Sequence, residues 1–363
     1  MPQSDVRTLG VEEELMLVDP DTGLLTAVSG GAVEANESAT EVEQELFLQQ
    51  IETSTEPCTD AEDLLAGIVA GRRAVGEAAA AAGARAVAMA APVLAQGERH
   101  FTPKERYQRI ESEYAQMARQ GLVCAMHTHV SVDSDEEAVH VVDGIRPWLP
   151  LLLAVSANSP YWNGQDTGHA SWRSQVWNRW PTAGPSQPFG DPATYREVTD
   201  RMLAWGGGLD AGMLYFDIRL SEKYPTVEVR VADVCTEVED ALLVALLTRA
   251  LVTTVAADPS PQVWREDLLR VAGWRAGRHG LAGDLVHPVE AHLAPLREVV
   301  AATLGYCREA LEASGDAERV AELFERLLAR GGGATRQRHE CERTGDLRAV
   351  VEDLARRTEE SWA

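Results

Sequence analysis

The sequence predicts an α+β fold, an antiparallel β-sheet backed by helices. Three observations carry the prediction. Six strand-like stretches, at 9–18, 46–55, 85–91, 122–132, 212–220 and 225–232, lack the steady strand–helix alternation of a doubly wound parallel sheet. Long helical patterns gather in the C-terminal third. Five of the strands carry polar residues at i, i+2 against apolar residues between them, the two-residue period of a sheet with unlike faces.

The first strand, LGVEEELMLV, puts Glu12 and Glu14 on one face and Val11, Glu13 and Leu15 on the other. Glu13 is thereby set apart and is expected at a strand end or under a helix. In QIETST, Gln50, Glu52 and Ser54 oppose Ile51 and Thr53. A helix over 60–82 follows, opened by a Thr59–Glu62 capping box and closed by Gly83. Thr102 with Glu105, and Pro103 at the first helical position, open a helix over 103–120 that Gly121 closes. In LVCAMHTHVSV, Val123, Ala125, His127, His129 and Ser131 share one face, and Leu122, Cys124, Met126, Thr128 and Val130 the other. Helical pattern covers about 136–157 and 192–204. In LYFDIRLS, Tyr215, Asp217 and Arg219 oppose Phe216, Ile218 and Leu220. In TVEVRVAD, Thr226, Glu228, Arg230 and Ala232 oppose Val227, Val229 and Val231. A Thr236–Glu239 capping box opens a helix over 237–257. Its apolar run, 241–257, is broken by Arg249 and too short to span a membrane comfortably, so it reads as a buried helix. Helices over about 288–313, 316–330 and 345–360 complete the chain. A single domain over 1–363 is expected, with a sheet-bearing core over about 7–235 and a mainly helical part over about 236–363.

Composition narrows the function. A formal net charge of −24 repels phosphate backbones and argues against nucleic acid as a partner. Five scattered cysteines without a CxxC pair argue against a disulfide framework and a cysteine-based zinc site, and suit a reducing compartment. MPQSDVRTLG has no apolar signal core, so a cytoplasmic location and no membrane partner are expected.

Pooling the polar strand faces gives Glu12, Glu14, Glu52, His127, His129, Asp217, Arg219, Glu228 and Arg230. A merely solvated face would show Thr, Lys, Gln and Ser. Clustered carboxylates raise one another's pKa unless a cation lies between them. Oxygen ligands with few soft donors suit Mg²⁺ or Mn²⁺, and adjacent arginines suit phosphate or carboxylate. The set therefore points to ATP-dependent activation of a carboxylic acid. The pair His127 and His129 could serve zinc, but no HExxH accompanies it; a Walker A loop and a strand-associated GxGxxG are absent too.

Several segments together resemble a known family. LGVEEELMLVD, QIETSTEPC, AMHTHVSV, RSQVWNRWPTAGP, FDIRLSEKYPTVEVRVADVCT and WRAGRHGLAG look like the bacterial glutamate–cysteine ligase type 2 family of carboxylate–amine ligases. More distantly, Gly10, Glu12 and Glu14, the stretch AMHTH, and Glu228, Arg230 and Asp233 are similar to signatures of glutamine synthetase, with Ala125 where that enzyme has glycine. The resemblance implies a curved antiparallel sheet of the glutamine synthetase/guanido kinase type, with helices outside. It implies a single catalytic domain in which ATP phosphorylates the side-chain carboxylate of glutamate, and an amine such as cysteine attacks the acyl phosphate. By the same resemblance Glu12, Glu14, Glu52, Glu228 and His127 would be metal ligands for Mg²⁺ or Mn²⁺. His127 and His129 would lie by the nucleotide; independently of the resemblance, Arg336 and Arg338 follow a glycine run that suits a loop over a nucleotide. Arg230, Glu228 and Arg219 would be catalytic, and Arg173 and Arg219 would bind substrate; His169, in a loop rich in Gly and Trp, is a further candidate for lining the substrate. Glu45 joins only if a bulge intervenes, because its seven-residue offset from Glu52 sets it on the wrong face. The family implies a homo-oligomer, a dimer or larger. Two readings from other classes stay open: a guanido-type phosphotransferase and a non-catalytic binding homologue. The amine, and strictly the acid, are not fixed by the residues.

Overall fold

The computed structural model describes residues 6–95 and 97–363. Seven strands form one sheet: β1 (Leu9–Val18), β2 (Val42–Gln44), β3 (Gln50–Ser54), β4 (Arg85–Val87), β5 (Ala125–Ser131), β6 (Ile218–Leu220) and β7 (Thr226–Asp233). Their spatial order is β2–β3–β1–β5–β7–β6, with β4 paired to the far end of β1, and every pairing is antiparallel. The predicted α+β class is the one found.

The helices are α1 (Ser29–Ala35), α2 (Ala61–Ala81), α3 (Glu105–Arg119), α4 (Asp135–Ile145), α5 (Leu149–Ser156), α6 (Arg173–Trp177), α7 (Pro192–Ala204), α8 (Val238–Ala257) and α9 (Glu266–His279). Five more, α10 (Leu296–Tyr306), α11 (Arg308–Ser314), α12 (Ala317–Arg330), α13 (Gly333–Thr344) and α14 (Leu347–Glu360), fill the C-terminal part. Helix α8 is apolar all round because α2, α4, α5 and α12 surround it, and Ala241 to Leu247 are at most 1% exposed. Two helical stretches, Asp135–Ser156 and Val238–Ala257, are long and apolar enough to cross a membrane, and both lie largely within the core. One apolar cluster runs from β1, β5 and β7 through α8 to α12, so the C-terminal helices share the core of the sheet.

The helix starts correct the sequence reading. None of the three expected capping boxes forms. Asp60 caps α2, accepting from the Glu62 and Asp63 amides. Thr102 donates to the Glu45 carbonyl (2.5 Å) and Thr236 to that of Ala88 (3.1 Å), so both hydroxyls join separate elements rather than cap their own helix. Helix α3 therefore opens after Pro103, not at it. Gly83 closes α2 as expected, with φ at +77°. Strand β3 begins only at Gln50, and the 212–220 strand shrinks to Ile218–Leu220 behind a 3-10 turn at Ala211–Met213. The expected 136–157 helix is broken by a 3-10 turn at Arg146–Trp148, where Pro147 cannot donate. The expected 288–313 helix starts only after Pro295 and breaks at Cys307. Helices α1, α6, α9 and α13 and strand β2 are additions.

Glu13 has its place under α2. Its carboxylate takes a two-pronged ion pair from Arg72, with Nε–Oε2 at 2.8 Å and Nη2–Oε1 at 2.6 Å. Arg72 also donates to the carbonyls of Cys235 (2.6 Å) and Thr236 (2.7 Å), just beyond β7. Both side chains are closed to solvent, at 0% and 2% exposure. Removing one partner leaves the other as an uncompensated buried charge. We expect Arg72→Met to lower unfolding free energy by about 3–5 kcal/mol, read from the denaturant midpoint, while Glu13→Gln with Arg72→Met loses less than the two single changes summed. Additive losses would show that the two groups act separately.

Candidate active site: an acidic cup

The register of the sheet brings the polar faces together. In one row Glu43, Glu52 and Glu14 stand opposite one another across β2, β3 and β1. In the next, Ser54, Glu12 and His127 do so across β3, β1 and β5. A third row joins His129, Glu228 and Arg219 across β5, β7 and β6. A bulge sets Arg230 and Val231 of β7 against the single residue His127, which re-aims Arg230 toward the same face. The result is a cavity of about 330 Å³ lined by eight carboxylates and only four lysine or arginine side chains.

The contacts are tight. His127 Nδ1 lies 3.2 Å from Glu12 and 3.7 Å from Glu228. His129 Nε2 lies 3.1 Å from Glu12 but outside hydrogen-bond geometry, so it is a buried nitrogen without a bond. Its Nδ1 is 3.1 Å from the Thr226 hydroxyl. Glu228 receives Arg219 Nε at 2.6 Å on one oxygen and Arg230 Nη1 on the other. Arg219 is itself held by the carbonyls of Ala211, Gly212 and Leu214. The Arg230 guanidinium sits over the rings of Trp177 and Tyr215 at 6.0 and 5.9 Å.

These surroundings split the carboxylates. Burial, then Glu45, pushes Glu14 up to about 8. Burial, then Glu45, Glu12 and Glu14, drives Glu52 well above the carboxylate range. Burial works the same way on Glu228, but Arg230 and Arg219 outweigh it and hold the group at about 2. Burial pushes Glu12 up, but His127 and His129 beside it outweigh that and pull it low. Burial and Arg230 lower His127 to about 4, so its imidazole is neutral near pH 7 and free to act as a ligand.

The donor set fits a hard divalent cation. Glu12, Glu52 and His127 bring ligand atoms within 4.8 Å of one another, as do Glu12, His129 and Glu228, with Glu12 common to both. Oxygen donors with one imidazole each suit Mg²⁺ or Mn²⁺, and a cation between them would satisfy the idle His129 nitrogen. Glu14, expected as a ligand, lies outside both sets; its carboxylate accepts from the Ala125 amide at 2.8 Å.

Other expected residues move. Glu45 does reach the cup, because residues 45–49 turn between β2 and β3 and strand alternation does not carry across them. Arg173 does not line the cup: it is buried at the start of α6 and donates to the backbone carbonyls of Arg230 and Val231. Asp217 precedes β6 and turns into a neighbouring cavity. His169 bonds to the Thr167 carbonyl and packs on Trp172, away from the cup. Arg336 and Arg338 sit on helix α13 rather than on a loop, paired with Glu237 and Asp166. Arg106, from α3, and Trp177 line the cup without having been placed there from sequence. Arg106 is fixed by an ion pair to Asp210 at 2.7 Å, a partner 104 residues away that no local pattern shows.

Solved structures share this arrangement of sheet and helices. A bifunctional glutathione synthetase from Pasteurella multocida superimposes with a TM-score of 0.71 over 98% of this chain and 53% of its own, at 14% identity. A glutamate–cysteine ligase from Francisella tularensis, solved with AMP, gives 0.65 over 99% of this chain and 89% of its own, at 12% identity. At such identities the likeness defines a shared fold. The family follows from sequence: the model of glutamate–cysteine ligase family 2 matches residues 8–353, and the chain belongs to that family. A chain provisionally named glutamate–cysteine ligase 2-1 from Nocardioides sp. is 48% identical, covering 98% of this chain and 97% of that one. A similarly named chain from Streptomyces coelicolor is 46% identical over 98% and 99%.

The electrostatics make a prediction for the metal-free protein. A raised carboxyl pKa contributes stability below its unfolded value and loses it as pH rises through the folded value. His127 acts in the opposite sense only below its ordinary 6.5. Above about 6.5 the raised Glu14, with the raised Glu52 beside it, therefore sets the slope, and the denaturant midpoint falls as pH rises toward about 8 in EDTA. Saturating Mg²⁺ or the change Glu14→Gln should flatten that slope; an equal slope in all three would contradict the assigned pKa.

Proposed function

We propose that the chain is an ATP-dependent carboxylate–amine ligase acting on L-glutamate, nominally forming γ-glutamylcysteine. The observation that carries this reading is the cup itself: carboxylates and imidazoles in facing rows, with two arginines gripping one of the carboxylates. In the proposed reaction the side-chain carboxylate of the acid takes the γ-phosphoryl group of ATP, giving an acyl phosphate and ADP. The amine then attacks the acyl carbon, phosphate leaves, and the amine gives up a proton.

Glu12, Glu52 and His127 would hold one divalent ion, and Glu12, His129 and Glu228 a second. Bound there, Mg²⁺ or Mn²⁺ supplies charge neutralisation to phosphate oxygens. Arg230 and Arg219 contribute fixed positive charge beside the reacting groups, and Glu228 fixes where each guanidinium points. Trp177 and Tyr215 flank Arg230 and limit its motion. Glu14 and Glu45 stand outside the two ligand sets; cations bound beside Glu14 would favour its charged form, which could then accept the proton that the amine releases. Family membership supports the ligase class, and the amine is the less constrained partner.

The test is direct. Incubation with ATP, Mg²⁺, glutamate and a panel of amines including cysteine should release phosphate and yield an amide of the expected mass. A phosphorylated product without free phosphate would instead indicate a phosphotransferase. Glu228→Gln should cut kcat/KM by about 10²-fold or more, and near-wild-type turnover in that variant would contradict the role assigned to Glu228.

A further inference from the structure

Beyond one wall of the cup lies a second cavity of opposite character. It is lined by Arg146, Arg173, Arg230 and Arg270, with Asp217 as the one carboxylate. Its volume, about 50 Å³, has room for a group of about four or five heavy atoms. Trp177, Tyr215 and Arg230 line both spaces and part them. The mouth of the second cavity is on the other side. Arg270 and Trp274, on successive turns of α9, line it with side chains about half exposed, and the exposed Asn178 joins them there.

The arginines are under-satisfied. Arg146 is 2% exposed and has no carboxylate within ion-pair distance among the described residues; it donates only to the carbonyls of Asp143 (2.9 Å) and Ser186 (2.5 Å). The Asp143 carboxylate itself is taken by the amides of Phe189 and Gly190. Arg173 is 1% exposed, and the nearest carboxylate, Asp233, is 3.9 Å away. Arg146 Nη2, Arg173 Nε and Arg230 Nε are buried donors without a hydrogen bond, and all three belong to side chains that line the cavity. Folded proteins leave few such donors idle, and guanidinium groups match the oxygens of carboxylates and phosphates. The Asp217 carboxylate faces the same space without a hydrogen-bond partner among the described residues. Burial pushes it up to about 6, with Arg270 and Arg173 working against that, so at pH 8 it is a carboxylate.

Idle cationic donors require an anion. An idle carboxylate among them repels one, unless the anion brings a proton to share. We propose that this cavity is a binding site for a small oxyanion that carries an O–H, with inorganic hydrogen phosphate as its occupant. The guanidinium groups take the charged oxygens, and the Asp217 carboxylate accepts the hydrogen bond of the P–O–H group. Sulfate has the same shape but no proton near neutral pH, and would set an oxygen lone pair against Asp217. The site goes beyond the ligase reading. Its ligand enters beside α9, needs no passage through the layer shared with the cup, and is measured by binding without turnover.

Isothermal titration at pH 8, with the cup filled by Mg²⁺ and a non-hydrolysable ATP analogue, compares phosphate with sulfate. The wild-type protein should bind phosphate about tenfold more tightly or better. Arg146→Met should lower phosphate affinity about tenfold, with its unliganded melting curve as the check on folding. Arg270→Gln, at the exposed mouth, should lower it about threefold. Asp217→Asn exchanges the acceptor for an amide that can donate to sulfate, and should bring the two anions within about twofold of each other. Equal affinity for the two anions in the wild type, or a preference for phosphate that survives Asp217→Asn, overturns the proposal. So does a phosphate affinity unchanged in both arginine variants, which would put the bound phosphate in the cup that neither side chain lines.

Discussion

The pairing of Glu13 with Arg72 is the contact on which the cup depends. Strand β1 carries three consecutive carboxylates, and alternation sends the middle one away from the other two. That middle carboxylate would be an unpaired buried charge without the guanidinium from α2. Arg72 goes on to grip two carbonyls just past β7, so one side chain ties β1 to the far end of a strand two places away. Sliding β1 by one residue would exchange its faces, placing Glu12 and Glu14 under α2 and Glu13 in the cup. The outer pair therefore locks the register that aligns Glu12 with His127, and His129 with Glu228.

On the inner face the molecule accepts a concentration of charge that the protein alone does not balance. Glu228 is gripped by two arginines and Glu12 lies beside two histidines, and both carboxyls are held low. Glu14 and Glu52 have no such partners, and in the metal-free state they hold protons instead. The first pair keeps its charge without a cation, and the second is drawn toward its charged form when one binds. The arginine cavity behind Trp177 and Tyr215 sits against this acidic space, so charges of both signs meet within one side-chain layer.

Much of this was legible in the sequence because strand period is local. The alternation in LGVEEELMLV, AMHTHVS and TVEVRVAD sorted Glu12, His127, His129, Glu228 and Arg230 onto a common face, and the sheet put them there. The α+β class and the buried character of the 241–257 run held for the same reason, since hydrophobic pattern alone decides them. What failed depended on distant partners. Thr102 and Thr236 had the sequence of helix caps, yet each hydroxyl serves a separate element. Arg173 and Asp217 carried the residue types of a substrate site, but the chain leaving the sheet turned both into the next cavity. Arg336 followed a glycine run that reads as a loop, and the helix begun at Gly333 carried it to Glu237. Glu45 was misplaced for the opposite reason: alternation was extended across a turn where no strand exists.

The central claim is that the facing rows of β1, β3, β5 and β7 are built to hold divalent cations. Anomalous scattering from crystals grown with Mn²⁺ and a non-hydrolysable ATP analogue tests it most directly. The account predicts peaks within bonding distance of Glu12, Glu52 and His127, and of Glu12, His129 and Glu228. A cup without an anomalous peak, beside ordered Mn²⁺ elsewhere on the nucleotide, would contradict it.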